Sequence, residues 1–150
     1  MHCENPTILL LVCNNCAGMT GKLLPEIKMK YADNVRVLAV TCPSQIDPFA
    51  IMKLLKESVE GIIVACPQQT CCCPENKKVM KRREMVKDIL PVFGLHKEQF
   101  QLASVSPFAG EELIKIIEQM LTFAKTLNHI DDYSAIYQEE EFTDACKWVN

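Results

Sequence analysis

Seven of the nine cysteines in the chain fall just after segments that read as β-strands. Cys13 and Cys16 follow Thr7–Val12, Cys42 follows Val35–Val40, and Cys66 follows Gly61–Ala65, with Cys71, Cys72 and Cys73 close behind. In a parallel sheet, residues beyond the carboxyl ends of the strands gather around one crevice, where such folds bind ligands. A thiol pair, a single thiol and a thiol cluster would therefore meet at one edge, an arrangement that points to a metal centre. Cys13 and Cys16 have the spacing at which two sulfurs hold one metal ion, which is also that of a dithiol redox motif. Cys42, Cys66 and one of Cys71 to Cys73 complete the four sulfurs needed for tetrahedral zinc or an iron–sulfur cluster. Cysteine can also pack as a small hydrophobe, but three in succession within a polar loop suit that role poorly.

Other chemistries of α/β folds leave residues that are absent here. A phosphatase-type loop needs an arginine six residues after its cysteine to hold phosphate oxygens, and the corresponding positions are Met19 and Cys72. A flavin phosphate at the first turn needs glycine and small hydroxyl residues at the helix start, whereas that turn reads Cys13-Asn14-Asn15-Cys16-Ala17-Gly18. No carboxylate stands at any of the three strand ends, and His2, His96 and His129 are all distant from these loops in sequence.

The elements that must position the thiols alternate between strand and helix. Thr7–Val12 is a near-continuous aliphatic run, the pattern of a strand buried on both faces. Leu23, Leu24 and Ile27 give Thr20–Lys30 a helical stripe, and Asp47 with Pro48 forms an N-cap and first-turn signal for a helix to about Glu57. Pro74-Glu75 opens a charged helix that Pro91 and Gly94 close, Gln99–Val105 reads as a fourth strand, and Gly110–Leu127 as an amphipathic helix. This alternation implies right-handed crossovers and a parallel sheet. The expected fold is α/β, a flavodoxin-like three-layer domain over residues 1–127 with four or five parallel strands. A C-terminal tail or helix, rich in acidic and aromatic residues, follows over 128–150, read either as a last helix packed on its own domain or as an arm lying on a partner.

The chain has 150 residues, 49% of them hydrophobic and 23% charged, with a formal net charge of −3. That size suits one domain with one core, and the charge offers no general attraction to nucleic acid or anionic lipid. No apolar run approaches the roughly 20 residues of a membrane span, and no secretory signal pattern opens the chain. A cytoplasmic, reducing location is expected, where clustered cysteines mark metal or redox chemistry more often than disulfides.

The chain resembles the delta subunit of methyl-viologen-reducing hydrogenase, a small iron–sulfur protein also associated with heterodisulfide reductase. The resemblance runs in order over about positions 6 to 125. It is carried by Cys13-Asn14-Asn15-Cys16, by Asn34-Val35-Arg36 leading to Cys42, by Asp47-Pro48, and by Glu60-Gly61-Ile62-Ile63-Val64. Cys66, Cys71 and Lys81-Arg82-Arg83 complete it. The chain departs from the family at Ile46, Ala65, Pro67, Cys72 and Cys73.

The resemblance implies a 2Fe–2S cluster surrounded by Cys13, Cys16, Cys42, Cys66 and Cys71, four of which bind it. It also implies an electron relay within a hetero-oligomeric complex. The donor would be an oxidoreductase of hydrogenase or formate dehydrogenase type, and the acceptor a heterodisulfide reductase-like, flavin-bearing, electron-bifurcating core. No catalytic residue is expected, since a relay needs no general base or substrate pocket. The basic group Lys77, Lys78, Lys81, Arg82 and Arg83 reads as a solvated helix face, or as charge that tunes the cluster and docks an acidic partner. Two other functions use the same thiols: a zinc-stabilised interaction module, and a dithiol redox protein acting through Cys13 and Cys16.

Overall fold

The computed structural model describes residues 5–14, 23–43, 46–66, 76–104 and 110–134. Four short segments rich in aliphatic residues form the strands β1 (Ile8–Cys13), β2 (Val35–Val40), β3 (Gly61–Cys66) and β4 (Phe100–Ser104). Between and after them run the helices α1 (Leu23–Lys30), α2 (Pro48–Glu57), α3 (Asn76–Ile89) and α4 (Gly110–Ser134). All strand pairings are parallel, in the order β2-β1-β3-β4. As far as four strands go, that is the flavodoxin-like order, whose topological switch point lies between β1 and β3.

Alternation along the strands supplies two apolar faces. Ile8, Leu10, Val12, Ile63 and Ala65 face one layer, where they pack with Leu24 and Ile27 of α1 and Leu113, Ile117 and Met120 of α4. Leu11, Ile62, Val64 and Phe100 face the other, with Ile51, Met52 and Leu55 of α2, Val86 of α3 and Leu90 just beyond it. Helices on both faces of a parallel sheet make the three layers expected from the alternating sequence. The central strands β1 and β3 are buried almost throughout, while β2, at the sheet edge, leaves Leu38 half exposed.

Local chemistry fixes the helix ends. The Asp47 carboxylate accepts from the Phe49 backbone N–H at 3.0 Å, and Pro48 occupies the first turn of α2. After α3 a 3-10 turn, Leu90–Phe93, closes on Gly94, whose φ of 74° lies in the left-handed region that favours glycine.

Several boundaries differ from those expected. Cys13 and Cys66 are the last residues of β1 and β3, because the ladders continue through them to Val40 and Ser104. Gln99 ends a 3-10 turn before β4, its side-chain amide accepting from the His96 N–H at 2.8 Å and donating to the Glu60 carbonyl at 3.0 Å. The last helix continues past Leu127 to Ser134.

Candidate metal centre

β1 and β3 are in register, with Val12 opposite Ala65, so Cys13 and Cys66 each stand one residue farther along adjacent strands. Parallel neighbours are about 4.8 Å apart. The alternation that turns Leu11 and Val64 toward α2 and α3 turns both cysteines to that same face. The two thiols thus lie side by side at the carboxyl edge, at the β1/β3 switch point where doubly wound sheets bind ligands. Cys13 is 1% exposed and Cys66 6% exposed.

Cys42 follows two residues after β2, half-buried. The turn that carries it is tied to β1 twice: the Asn14 N–H donates to the Val40 carbonyl at 2.8 Å, and the Cys13 thiol donates to the Thr41 carbonyl at 3.3 Å. Thr41 is not among the residues that the sequence singles out. It acts through its carbonyl, and a backbone group leaves no mark in residue type. Cys13, Cys42 and Cys66 carry thiols and not disulfides.

Cys16 and Cys71 lie outside the described residues, as do Cys72 and Cys73. Among the described residues, no group of three or more His, Cys, Asp or Glu side chains is close enough to hold a metal ion. What they contribute is a pair of adjacent thiols and a third thiol at the next strand end. Such an all-sulfur donor set fits a thiophilic centre such as an iron–sulfur cluster or zinc, and does not suit hard cations. The four helices start at this edge, and the partial positive charge of helix N-termini favours thiolates there; the Asp47 carboxylate opposes it locally.

Of the basic residues in α3, Lys81 is exposed and Arg83 is buried, at 6% exposure. The signal for that difference is periodic. Arg83, Val86 and Leu90 recur at helical spacing, and all three are buried. A cavity of about 380 Å³, lined by Glu26, Ile27, Met29, Lys30, Tyr31 and Ile114, lies on the α1/α4 side, with no cysteine among the described residues of its wall.

Comparison with protein families matches residues 8–128 to methyl-viologen-reducing hydrogenase, delta subunit. Among individual proteins, the chain is 26% identical over 130 residues to an F420-non-reducing hydrogenase iron-sulfur subunit of Archaeoglobus profundus, covering 85% of this chain and 93% of that protein. It is 28% identical over 109 residues to the F420-non-reducing hydrogenase vhc iron-sulfur subunit of Methanococcus voltae, covering 71% of this chain and 76% of that one. Over 137 residues it is 25% identical to one subunit of the Ferredoxin/F(420)H(2)-dependent CoB-CoM heterodisulfide reductase of Methanosarcina acetivorans. That alignment covers 90% of this chain but only 17% of the longer protein.

Proposed function

The chain belongs to the methyl-viologen-reducing hydrogenase delta subunit family, and from that premise we propose that it is an electron-transfer subunit carrying a 2Fe–2S cluster. Its place would be between a donor oxidoreductase, of hydrogenase or formate dehydrogenase type, and a heterodisulfide reductase-like flavoprotein that bifurcates electrons. The observation that carries the reading is the pair of buried thiols, Cys13 and Cys66, on one face at the β1/β3 switch point. Relatives named as iron–sulfur subunits support it. So does the match to a heterodisulfide reductase subunit in which a stretch similar to this chain is part of a much longer polypeptide. A domain that is separate in some relatives and fused in others is suited to working beside that larger protein.

Cys13, Cys42 and Cys66, with Cys16 and Cys71, would hold the cluster, four of the five acting as ligands. When bound, the cluster accepts and releases one electron at a time without forming or breaking a bond to substrate. The chain's own part is to position and shield. In the cluster-free chain the Cys13 thiol is held by donating to the Thr41 carbonyl, a bond given up when the thiol loses its proton to become a ligand, and the β1–β3 ladder holds Cys66 beside it. The enclosed positions of both thiols limit access of water, which controls the potential of such sites. No general acid or base is required.

The test is anaerobic purification followed by metal, sulfide and absorption analysis. About two irons and two acid-labile sulfides per chain, with a visible absorption band, are expected for this cluster type. Stoichiometric zinc in a colourless protein would replace the proposal with a zinc-stabilised interaction module.

A further inference from the structure

We infer that Arg83 raises the reduction potential of the thiol-bound centre, by holding a permanent positive charge in the α2/α3 layer beneath the Cys13–Cys66 edge. This rests on the reading that the thiols hold a 2Fe–2S cluster. Among the basic residues of α3, Arg83 is buried, whereas Lys81 faces solvent. Val86 and Leu90 share its helical stripe and pack in the cluster that contains Leu11, Ile62 and Val64. The stripe therefore faces the side of the sheet to which Cys13 and Cys66 turn.

Height along the sheet follows from direction. α3 leaves the carboxyl edge and runs antiparallel to the strands, so Arg83 is nearer the thiols than Val86 or Leu90. Lys87, one turn after Arg83, donates to the Gln101 side chain at 3.2 Å, and Gln101 is paired with Ile63. One turn back toward the helix start is about 6 Å, or about two residues of strand, which brings Arg83 toward the level of Ala65, the residue before Cys66. Helical side chains lean toward the helix N-terminus, which in α3 is the thiol-bearing edge.

Burying a guanidinium costs several kcal/mol before compensation, and it cannot shed its proton to avoid the cost. An apolar residue of similar volume would fill the same space at no such cost. Arg83 takes part in polar or electrostatic interactions within the chain, and its charge also extends to the edge above. A four-thiolate 2Fe–2S centre carries a net charge of about −2, and about −3 after taking up one electron. A fixed cation nearby stabilises the second state more than the first. Away from solvent that effect is stronger than the same charge on exposed Lys81, which water and salt screen.

Full-length chain, purified anaerobically, is titrated with dithionite through mediator dyes, which deliver one electron per centre. Absorption and electron paramagnetic resonance report the ratio of reduced to oxidised protein. In Arg83→Met that ratio at a fixed potential should fall about tenfold, equivalent to a midpoint about 59 mV lower for a one-electron couple. Arg83→Lys, which keeps the charge, and Lys81→Gln, which removes an exposed one, should each stay within about twofold of wild type. An Arg83→Met ratio within twofold of wild type overturns the inference, as does an equal fall in Lys81→Gln. Should Arg83→Met not fold, Arg83→Lys decides: a tenfold fall with the charge retained overturns the inference, and an unchanged ratio supports it. Zinc without iron in the wild-type protein defeats the cluster reading and this inference together. Iron-loaded wild type with an unmoved Arg83→Met defeats this inference alone.

Discussion

Cys13 joins two requirements in one side chain, since its thiol is enclosed in the core edge and donates to the Thr41 carbonyl. Serine retains a donor for that carbonyl and removes the sulfur. Cys13→Ser should therefore fold within about 1 kcal/mol of the cluster-free wild type while losing most of the visible absorption of the anaerobically purified protein. Cys66→Ser should do the same. Cys3→Ser and Cys146→Ser, at positions outside the described residues, should keep the absorption; its loss in Cys146→Ser would add the end of the chain to the site. The thiols themselves are legible in the sequence because cysteines after aliphatic runs are a local pattern. The side-by-side placement of Cys13 and Cys66 is not, since it depends on two strands distant in sequence pairing in register. In sequence Arg83 is one of five similar basic residues, and only its phase relative to Val86 and Leu90 separates it from Lys81.

At the level of elements, α4 makes a close approach to the start of β3, where Gly61 faces the Met120 side chain. A methyl group at Gly61 would collide with Met120, which is itself only 2% exposed and has little room to move. Gly61→Ala should thus cost about 1–3 kcal/mol, read as a lower denaturation midpoint with an unchanged slope.

On the outer surface, α1 and α4 meet at Glu118, which accepts from the Tyr31 hydroxyl at 2.8 Å and from the Lys30 ammonium at 3.2 Å. These contacts, Tyr31 first, hold the Glu118 carboxyl below its ordinary value. They also raise Lys30, through Tyr31 first and then Glu118. A depressed carboxyl stabilises the fold above its unfolded value, about 4.3, and loses that contribution as pH falls through the folded value. Glu118→Gln should accordingly be less stable than wild type at pH 7, with the difference narrowing below about pH 4.3 in thermal unfolding. The alternation of strand and helix is readable from apolar runs and from Asp47-Pro48. The edge position of β2 is not, because strand order is written in no single strand.

For the whole molecule, the match to one part of a much longer heterodisulfide reductase polypeptide bears on assembly. We propose that residues 128–150 help hold the chain to its partner complex. Since α4 is described to Ser134, the informative truncation ends there and keeps every described residue of the helix. It should preserve thermal stability and iron content and reduce co-purification with the heterodisulfide reductase-like protein. Retention equal to the full-length chain would move the contact to residues 128–134 or to the thiol-bearing edge. Among the described residues, no helix is long and apolar enough to cross a membrane.

The in-register ladder between β1 and β3 also constrains how such a chain can change. Side chains alternate with a period of two, so adding or deleting one residue between Ile8 and Cys13 while the ladder holds from Ile8 would send Cys13 to the α1/α4 face. Cys66 would remain where it is. Adding or deleting two residues would keep the face but carry Cys13 about 6.6 Å along the strand from Cys66, so length variation is compatible with the site only in the connections outside the strands.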